Sequence, residues 1–409
     1  MSLFMEKLIS QRLGGQRFGK DTAIYKFAKI KIAKRAAIAA HPGEELIDMG
    51  VGEPDDRADD SIVEVLYREA LKKENRFYSD NGIPELKNAV SAYMKNRFHV
   101  DIDPETEVNH SIGSKSALSL LPYCLVNPGE IALMTVPGYP ITGTISKYLG
   151  GDVYTLPLKK ENRFLPDLDA IPAEIKRKAK VLYINYPNNP TGALAPQEFY
   201  EKAVRFAQEN GVAVLQDGAY MELTYGEKPL SFLQTPGAKD VGVELHSLSK
   251  SFNMTGWRIG FVCGNPLLVK AFASVKDNND SGQFIPIQKA AVYALQHPEL
   301  TDKVRTKYQR RLNALCAILR KLGFFVNEPN GTFYLYFEIP KGTKSGRQFQ
   351  SAEEFCDYLI REKLISSVPW DDVGHFLRFT VTFEAKDMED EKRVIGEIEK
   401  RLSSEEFLF

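Results

Sequence analysis

The 409 residues are too many for a single hydrophobic core, and an apolar fraction of 43% with 26% charged residues is that of an ordinary folded protein, so two structural units are expected. Fifty-three Lys and Arg against 54 Asp and Glu leave a formal net charge of −1, which argues against a general nucleic-acid or membrane-surface footprint. Four widely spaced cysteines (Cys124, Cys263, Cys316, Cys356), with no CxxC and no Cys/His cluster, argue against a disulfide scaffold or structural zinc and suit a reducing compartment.

At the amino terminus Glu6 and Lys7 appear before any apolar run can form, so no signal peptide is expected. The uncharged stretch Ile131–Ser146 is too short for a membrane span and is broken by Pro137, Gly138, Pro140 and Gly143. A cytoplasmic location is the expectation. The middle of the chain then alternates. Val181–Asn185 is a short β-rich run that ends in the turn Pro187-Asn188-Asn189-Pro190. Pro196–Glu209 has helical spacing through Phe199, Ala203, Phe206 and Ala207 and stops at Asn210-Gly211. Val212–Leu215, Val241–Leu245 and Ile259–Cys263 continue the strands. Such alternation predicts an α/β fold with a mostly parallel sheet covered on both faces.

The last hundred or so residues read differently. Lys303–Leu322 is predicted as a long amphipathic helix and Ala352–Lys363 as a shorter one. Phe333–Phe337 and Leu377–Phe383 alternate like half-exposed antiparallel strands. This predicts a smaller α+β unit completed by amino-terminal residues, with the chain divided at 1–65, 66–304 and 305–409.

Chemistry-bearing residues follow the predicted strands in order: Asn189, then Asp217 with Tyr220, then Ser247-Leu248-Ser249-Lys250, then Trp257-Arg258. In parallel α/β sheets such positions share one crevice. Taken singly each has an ordinary explanation, the aspartate as a helix cap and the lysine as a solvated loop residue.

Taken in order, with Gly50-Val51-Gly52-Glu53-Pro54-Asp55, Asn189-Pro190-Thr191-Gly192, Asp217-Gly218-Ala219-Tyr220, Met254-Thr255-Gly256-Trp257-Arg258 and Leu377-Arg378-Phe379, they resemble the pyridoxal-phosphate aminotransferases of the aspartate aminotransferase superfamily, fold type I. The resemblance covers nearly the whole chain. It implies a large domain with a mostly parallel, seven-stranded sheet flanked by helices, plus a smaller α+β domain. It makes Lys250 the amine that condenses with the cofactor and later carries a proton. Asp217 becomes the carboxylate that keeps the pyridine nitrogen protonated, and Tyr220 and Asn189 the partners of the ring's phenolic oxygen. Gly113, Ser114, Lys115, Ser247, Ser249 and Arg258 fall at phosphate-binding positions. The Gly-Ser-Lys-Ser segment lacks the glycine spacing of a Walker loop. Tyr139, within Val136-Pro137-Gly138-Tyr139-Pro140, matches the residue that stacks on the ring. Arg378 matches the arginine that forks onto the substrate α-carboxylate beside Asn189 and the Gly52 backbone. Tyr78 is the candidate for a tyrosine reaching the partner subunit's phosphate, although Phe77 holds the family's usual spacing to Gly82. A homodimer with shared sites follows from the same resemblance.

Val368-Pro369-Trp370-Asp371-Asp372, Ile112–Lys115 and Tyr78–Gly82 resemble a group often assigned as LL-diaminopimelate aminotransferases, which use glutamate and 2-oxoglutarate as the second pair. This implies a pocket for a distal ammonium and carboxylate. The candidates are Asp80, Asn81, Asn279 and Gln283, with Tyr25 closing over the site. The alternatives are a broad aspartate, aromatic or alanine-type aminotransferase, a β C–S lyase, and a cofactor-binding regulator. The presence of a carboxylate arginine speaks against the last.

Overall fold

The computed structural model describes residues 3–20, 26–226 and 228–409. Its centre is a seven-stranded sheet: β1 (Val108–Ser111), β2 (Ile131–Val136), β3 (Asp152–Pro157), β4 (Ala179–Asn185), β5 (Ala213–Asp217), β6 (Gly242–Ser247) and β7 (Gly260–Gly264). The spatial order is β1-β7-β6-β5-β4-β2-β3. β7 runs antiparallel to both of its neighbours, and every other pairing is parallel. Central strands of such a sheet are covered on both faces, which is why β4 reads as a continuous apolar run, with Val181, Leu182, Tyr183 and Ile184 all fully buried. Helices Gln197–Asn210 and Gly113–Leu125 lie among those that cover it. The predicted strands and helices of this region are found within a few residues of their expected ends.

A second core lies apart from the sheet. Ala33, Ala37, Ile47 and Met49 join Leu312 and Leu315 of the helix Thr301–Lys321, together with Phe333, Leu335, Leu377 and Phe379. Its framework is a three-stranded antiparallel sheet, β9-β10-β8, made of β8 (Tyr334–Glu338), β9 (Val368–Trp370) and β10 (Phe376–Thr380). The helix Lys26–Ala40 packs on Ala352–Lys363, and the short strand Ile47–Asp48 pairs parallel with Ile365–Ser366. Amino-terminal residues therefore complete this layer, whereas Ala58 and Ile62 pack into the core of the large sheet.

One expectation changes here. β10 is buried along its whole length rather than half-exposed. Leu377 and Phe379 face the second core, and the other face is covered by the segment Met49–Val51. Thr380 N–H donates to the Met49 carbonyl at 2.8 Å, Arg378 Nη2 to Gly50 O at 2.7 Å, and Thr382 Oγ1 to Val51 O at 2.8 Å. The polar residues of the alternation meet backbone carbonyls, not water. Among the described residues no helix is long and apolar enough to cross a membrane.

Candidate active site

Topology brings the nominated residues to one edge of the large sheet. β2, β4, β5 and β6 run parallel, and β1 shares their direction because β7 is antiparallel to both of its neighbours. Their carboxyl ends therefore lead to Gly113–Lys115, Tyr139, Asn189, Asp217 and Ser247–Lys250 on a single side, while β7 begins there, directly after Arg258 and Ile259. Beside these lies a cavity of about 1240 Å³. Asn189, Asp217, Tyr220, Lys250, Arg258 and Arg378 line it. Gly52, Ser114, Lys115, Tyr139, Ser247 and Ser249 line it as well.

Lys250 sits just beyond β6 and donates from Nζ to the Gly52 carbonyl at 2.9 Å. Burial lowers its pKa to about 8; Arg258 and Arg378 push the same way, while Glu53 and Asp217 oppose them. A buried amine of this kind is neutral far more often than a surface lysine, as a nucleophile or proton carrier requires.

Asp217 closes β5. Burial raises its pKa to about 6, against the opposing effect of Tyr183 Oη donating at 3.1 Å and Ala219 N–H at 3.2 Å. A carboxylate held in this way would gain from a cation placed before it. Asn185 was not foreseen. At the end of β4 its Nδ2 donates to Asp217 O at 2.7 Å, and its Oδ1 accepts from Asn189 N–H at 2.9 Å, tying the two strand ends together. An amide that closes an otherwise apolar strand was the available signal.

The third element is an anion cradle. Arg258 has a left-handed backbone at φ 57°, which is uncommon for a residue other than glycine. Gln283 Nε2 stabilises that turn by donating to the carbonyls of Trp257 (2.6 Å) and Arg258 (2.8 Å). The guanidinium donates to Ser249 Oγ at 3.2 Å and to Thr255 O at 2.8 Å, and its Nη2 occupies the space that a side chain on Gly113 would need. Gly113 also sits at φ 71°, so glycine is required there twice over. Ser114 and Lys115 follow in the first turn of Gly113–Leu125, which adds a helix amino terminus to the two cations and the hydroxyls.

Arg378 also lines the cavity. Nη1 donates to Asn189 Oδ1 at 3.0 Å and Nη2 to Gly50 O, while its buried Nε has no hydrogen-bond partner among the described residues. Its guanidinium carbon stands 4.2 Å from the ring centre of Tyr334. Tyr334, whose Oη is 2.9 Å from that of Tyr220, is a second lining residue that sequence reasoning missed.

Other nominated residues lie elsewhere. Tyr78 is 84% exposed and does not line this cavity, and Tyr25 lies outside the described residues. Of the four candidates for reading distal substrate groups, Asn81, Asn279 and Gln283 have their side chains engaged in fastening loops, and Asp80 is tied through its backbone. The Asp80 carbonyl accepts from buried Lys276, and Asn81 bridges Asp277 (2.6 Å) and Asn109 (2.9 Å). Asn279 turns to Asp280, and Gln283 is committed to the Arg258 turn. None of them lines the cavity. Its charged lining residues include instead Lys31, Lys34 and Lys147 together with Asp48, Glu53 and Asp372.

Comparison with known proteins agrees with this geometry. The family model for aminotransferase class I and II matches residues 44–392. The LL-diaminopimelate aminotransferase of Methanocaldococcus jannaschii is 59% identical over 389 residues, covering 95% of this chain and 93% of that one. The LL-diaminopimelate aminotransferase of Methanococcus maripaludis is 56% identical over 415 residues, covering 100% of both. Among solved structures, substrate-bound BacF from Bacillus subtilis superposes with a TM-score of 0.86 at 34% identity, covering 96% of this chain and 97% of that one. With a family match across most of its length and a buried lysine, aspartate and arginine gathered at one sheet edge, the chain belongs to the class I and II aminotransferases.

Proposed function

We propose that this aminotransferase works with pyridoxal 5'-phosphate and moves an amino group from LL-diaminopimelate to 2-oxoglutarate, or in reverse, as part of lysine and cell-wall synthesis. The observation that carries the substrate is the 56–59% identity over essentially the whole chain to relatives bearing that name. The cavity supports the cofactor. When bound, it supplies an aldehyde for an amine and a ring that accepts the electron pair released at the substrate α-carbon. The residues present fit it: a depressed lysine, a buried carboxylate in need of a cation, and an anion cradle at a helix amino terminus.

In this reading Ser114, Lys115, Ser247, Ser249 and Arg258 hold the phosphate, with Gly113 giving the guanidinium room. Asp217 holds a proton on the ring nitrogen, and Tyr139 covers the ring. Asn189 and Tyr220 hold the phenolic oxygen. Lys250 carries a proton to and from the substrate α-carbon, and its lowered pKa lets it serve as the base near neutral pH. Arg378 takes the α-carboxylate, its fork already aimed by Asn189, Gly50 and the Tyr334 ring. Charges of both signs in the cavity lining suit the distal ammonium and carboxylate of a two-headed amino acid. We further propose a homodimer in which Tyr78 serves the partner subunit's site, and a cytoplasmic location.

The test is a substrate panel. With 2-oxoglutarate as acceptor, kcat/KM for LL-diaminopimelate is expected to exceed those for aspartate and 2-aminopimelate by at least about 100-fold, because a site built for a distal polar group is left unpaired by analogues that lack it. Comparable values for aspartate and LL-diaminopimelate would establish a broad-range aminotransferase instead. The Arg378→Lys substitution is expected to raise KM for every amino and oxo acid by about 10- to 100-fold, since a point charge replaces a planar fork. Steady-state kinetics across the same panel checks this. Losses confined to the dicarboxylic substrates would move Arg378 to the distal carboxylate.

A further inference from the structure

Tyr334 is the first residue of β8 and is 2% exposed, yet it lines the cavity. Three site elements meet it. The Arg378 guanidinium carbon lies 4.2 Å from its ring centre, a cation–π contact made away from water. Its hydroxyl is 2.9 Å from that of Tyr220 and occupies the space that a side chain on Gly52 would take. Gly52 is in turn the residue whose carbonyl accepts from Lys250.

The backbone around Tyr334 is held against its preferences. Thr332, buried and β-branched, sits at φ 67°, where such residues are rarely found. Its Oγ1 accepts the Tyr334 N–H at 3.1 Å, its own N–H donates to Leu223 O at 2.8 Å, and its carbonyl accepts from Tyr225 Oη at 2.6 Å. Strain at Thr332 is thus compensated by bonds that fix Tyr334 relative to the segment carrying Tyr220.

We propose that Tyr334 is a positioning residue for the transamination site, its ring face holding the Arg378 guanidinium in the plane that meets a carboxylate and its hydroxyl donating to the Tyr220 hydroxyl. With Tyr334 as donor, the Tyr220 proton is left free to point at an acceptor in the cavity. One side chain thereby couples the clamp for the substrate to the group that tunes the cofactor. The charged and titratable groups that face the two phenols are Arg378, Asp217 and Glu53. This inference rests on the proposed roles of Arg378 and Tyr220.

Two variants separate the two functions. Tyr334→Phe keeps the ring and removes the hydroxyl. In the cofactor-loaded protein it is expected to move the pH midpoint of the visible absorbance upward by at least about 0.3 unit, because Tyr220 becomes a weaker donor. It should lower kcat while leaving every KM within about twofold of the parent. Tyr334→Leu removes the ring as well and is expected to raise KM for all amino and oxo acids by on the order of tenfold, the scale of a desolvated cation–π contact. Circular dichroism and melting curves establish that the leucine variant is folded, and the phenylalanine variant tests the hydroxyl whether or not it is. Equal KM increases in both variants would overturn the proposal, since the hydroxyl would then touch substrate. So would an unmoved midpoint in Tyr334→Phe when Tyr220→Phe shifts it, because a merely structural phenol lowers the melting temperature without touching the spectrum. If Tyr220→Phe leaves the midpoint unchanged and Arg378→Lys leaves KM unchanged, the underlying roles have failed and the inference falls with them.

Discussion

Replacement of Lys250 by alanine is expected to abolish amino-group transfer while leaving the fold and the cofactor cradle in place. The lysine lines the cavity with its amine buried and its pKa near 8. At pH 7.5 that leaves roughly a quarter of it neutral, against about one molecule in a thousand for an ordinary lysine. In the proposed role alanine would remove both the nucleophile and the proton carrier at the substrate α-carbon. Loss of a general base alone costs roughly 100- to 10,000-fold, and the loss of the covalent attachment adds to it. Against the fold, the substitution removes one hydrogen bond, to Gly52 O, a net contribution of about 1 kcal/mol. The anion cradle around Arg258 and the carboxylate of Asp217 do not depend on it, so the variant should still take up pyridoxal phosphate without a covalent link. The measurement is a single-turnover assay with glutamate, together with borohydride reduction of the parent protein and mass mapping. A pyridoxyl adduct on any lysine other than Lys250 would sink the assignment.

The sequence made some of this site legible and hid the rest for physical reasons. The strand ends were readable because a central parallel strand is a short apolar run, and whatever polar residue follows it must lie at the sheet edge. Asn189, Asp217 and Lys250 were found in this way. Arg378 was readable only through its resemblance to a family pattern, since an arginine in an alternating strand looks like a solvent-facing residue. Here the solvent face is covered by Met49–Val51, a contact between segments more than 300 positions apart that periodicity cannot register. Tyr334 was hidden for the opposite reason: among Phe333, Leu335 and Phe337 it reads as one more core aromatic, and only the tertiary structure sets its hydroxyl beside that of Tyr220. The polar loop Asn278–Gln283 misled because amides suit either a ligand or a turn. Its glutamine is satisfied by the two carbonyls of the strained Trp257-Arg258 turn, an acceptor pair that exists only because Arg258 has left-handed φ. The helix Lys26–Ala40 was missed because Lys29, Lys31, Lys34 and Arg35 interrupt its apolar spacing, and its burial comes from packing on Ala352–Lys363.

The Asp217→Asn substitution is expected to have opposite effects on the loaded and the empty protein. In the proposed role, with pyridoxal phosphate bound, the carboxylate would keep a proton on the ring nitrogen, and without it the ring would accept electrons poorly. A fall in kcat of about 100- to 1,000-fold is expected, the usual scale for removing one preorganised charged group from a buried site. In the empty protein the same carboxylate is a burden. Its folded pKa of about 6 lies above the unfolded value of 3.8, mainly through burial. Protonated Asp217 therefore contributes stability that is fully present below pH 3.8 and is lost as pH rises through 6. At pH 8 the ionised form should cost the parent on the order of 3 kcal/mol relative to the neutral asparagine, at 1.36 kcal/mol per pH unit. Urea titrations of both cofactor-free proteins should show the asparagine variant more stable at pH 8, with the gap nearly constant down to about pH 6 and shrinking from there toward pH 4. Loading both with pyridoxal phosphate should narrow or invert the difference at pH 8, because the parent's carboxylate then faces a cation. A variant with parental turnover and no extra stability when empty would reduce Asp217 to a residue of the turn that closes β5.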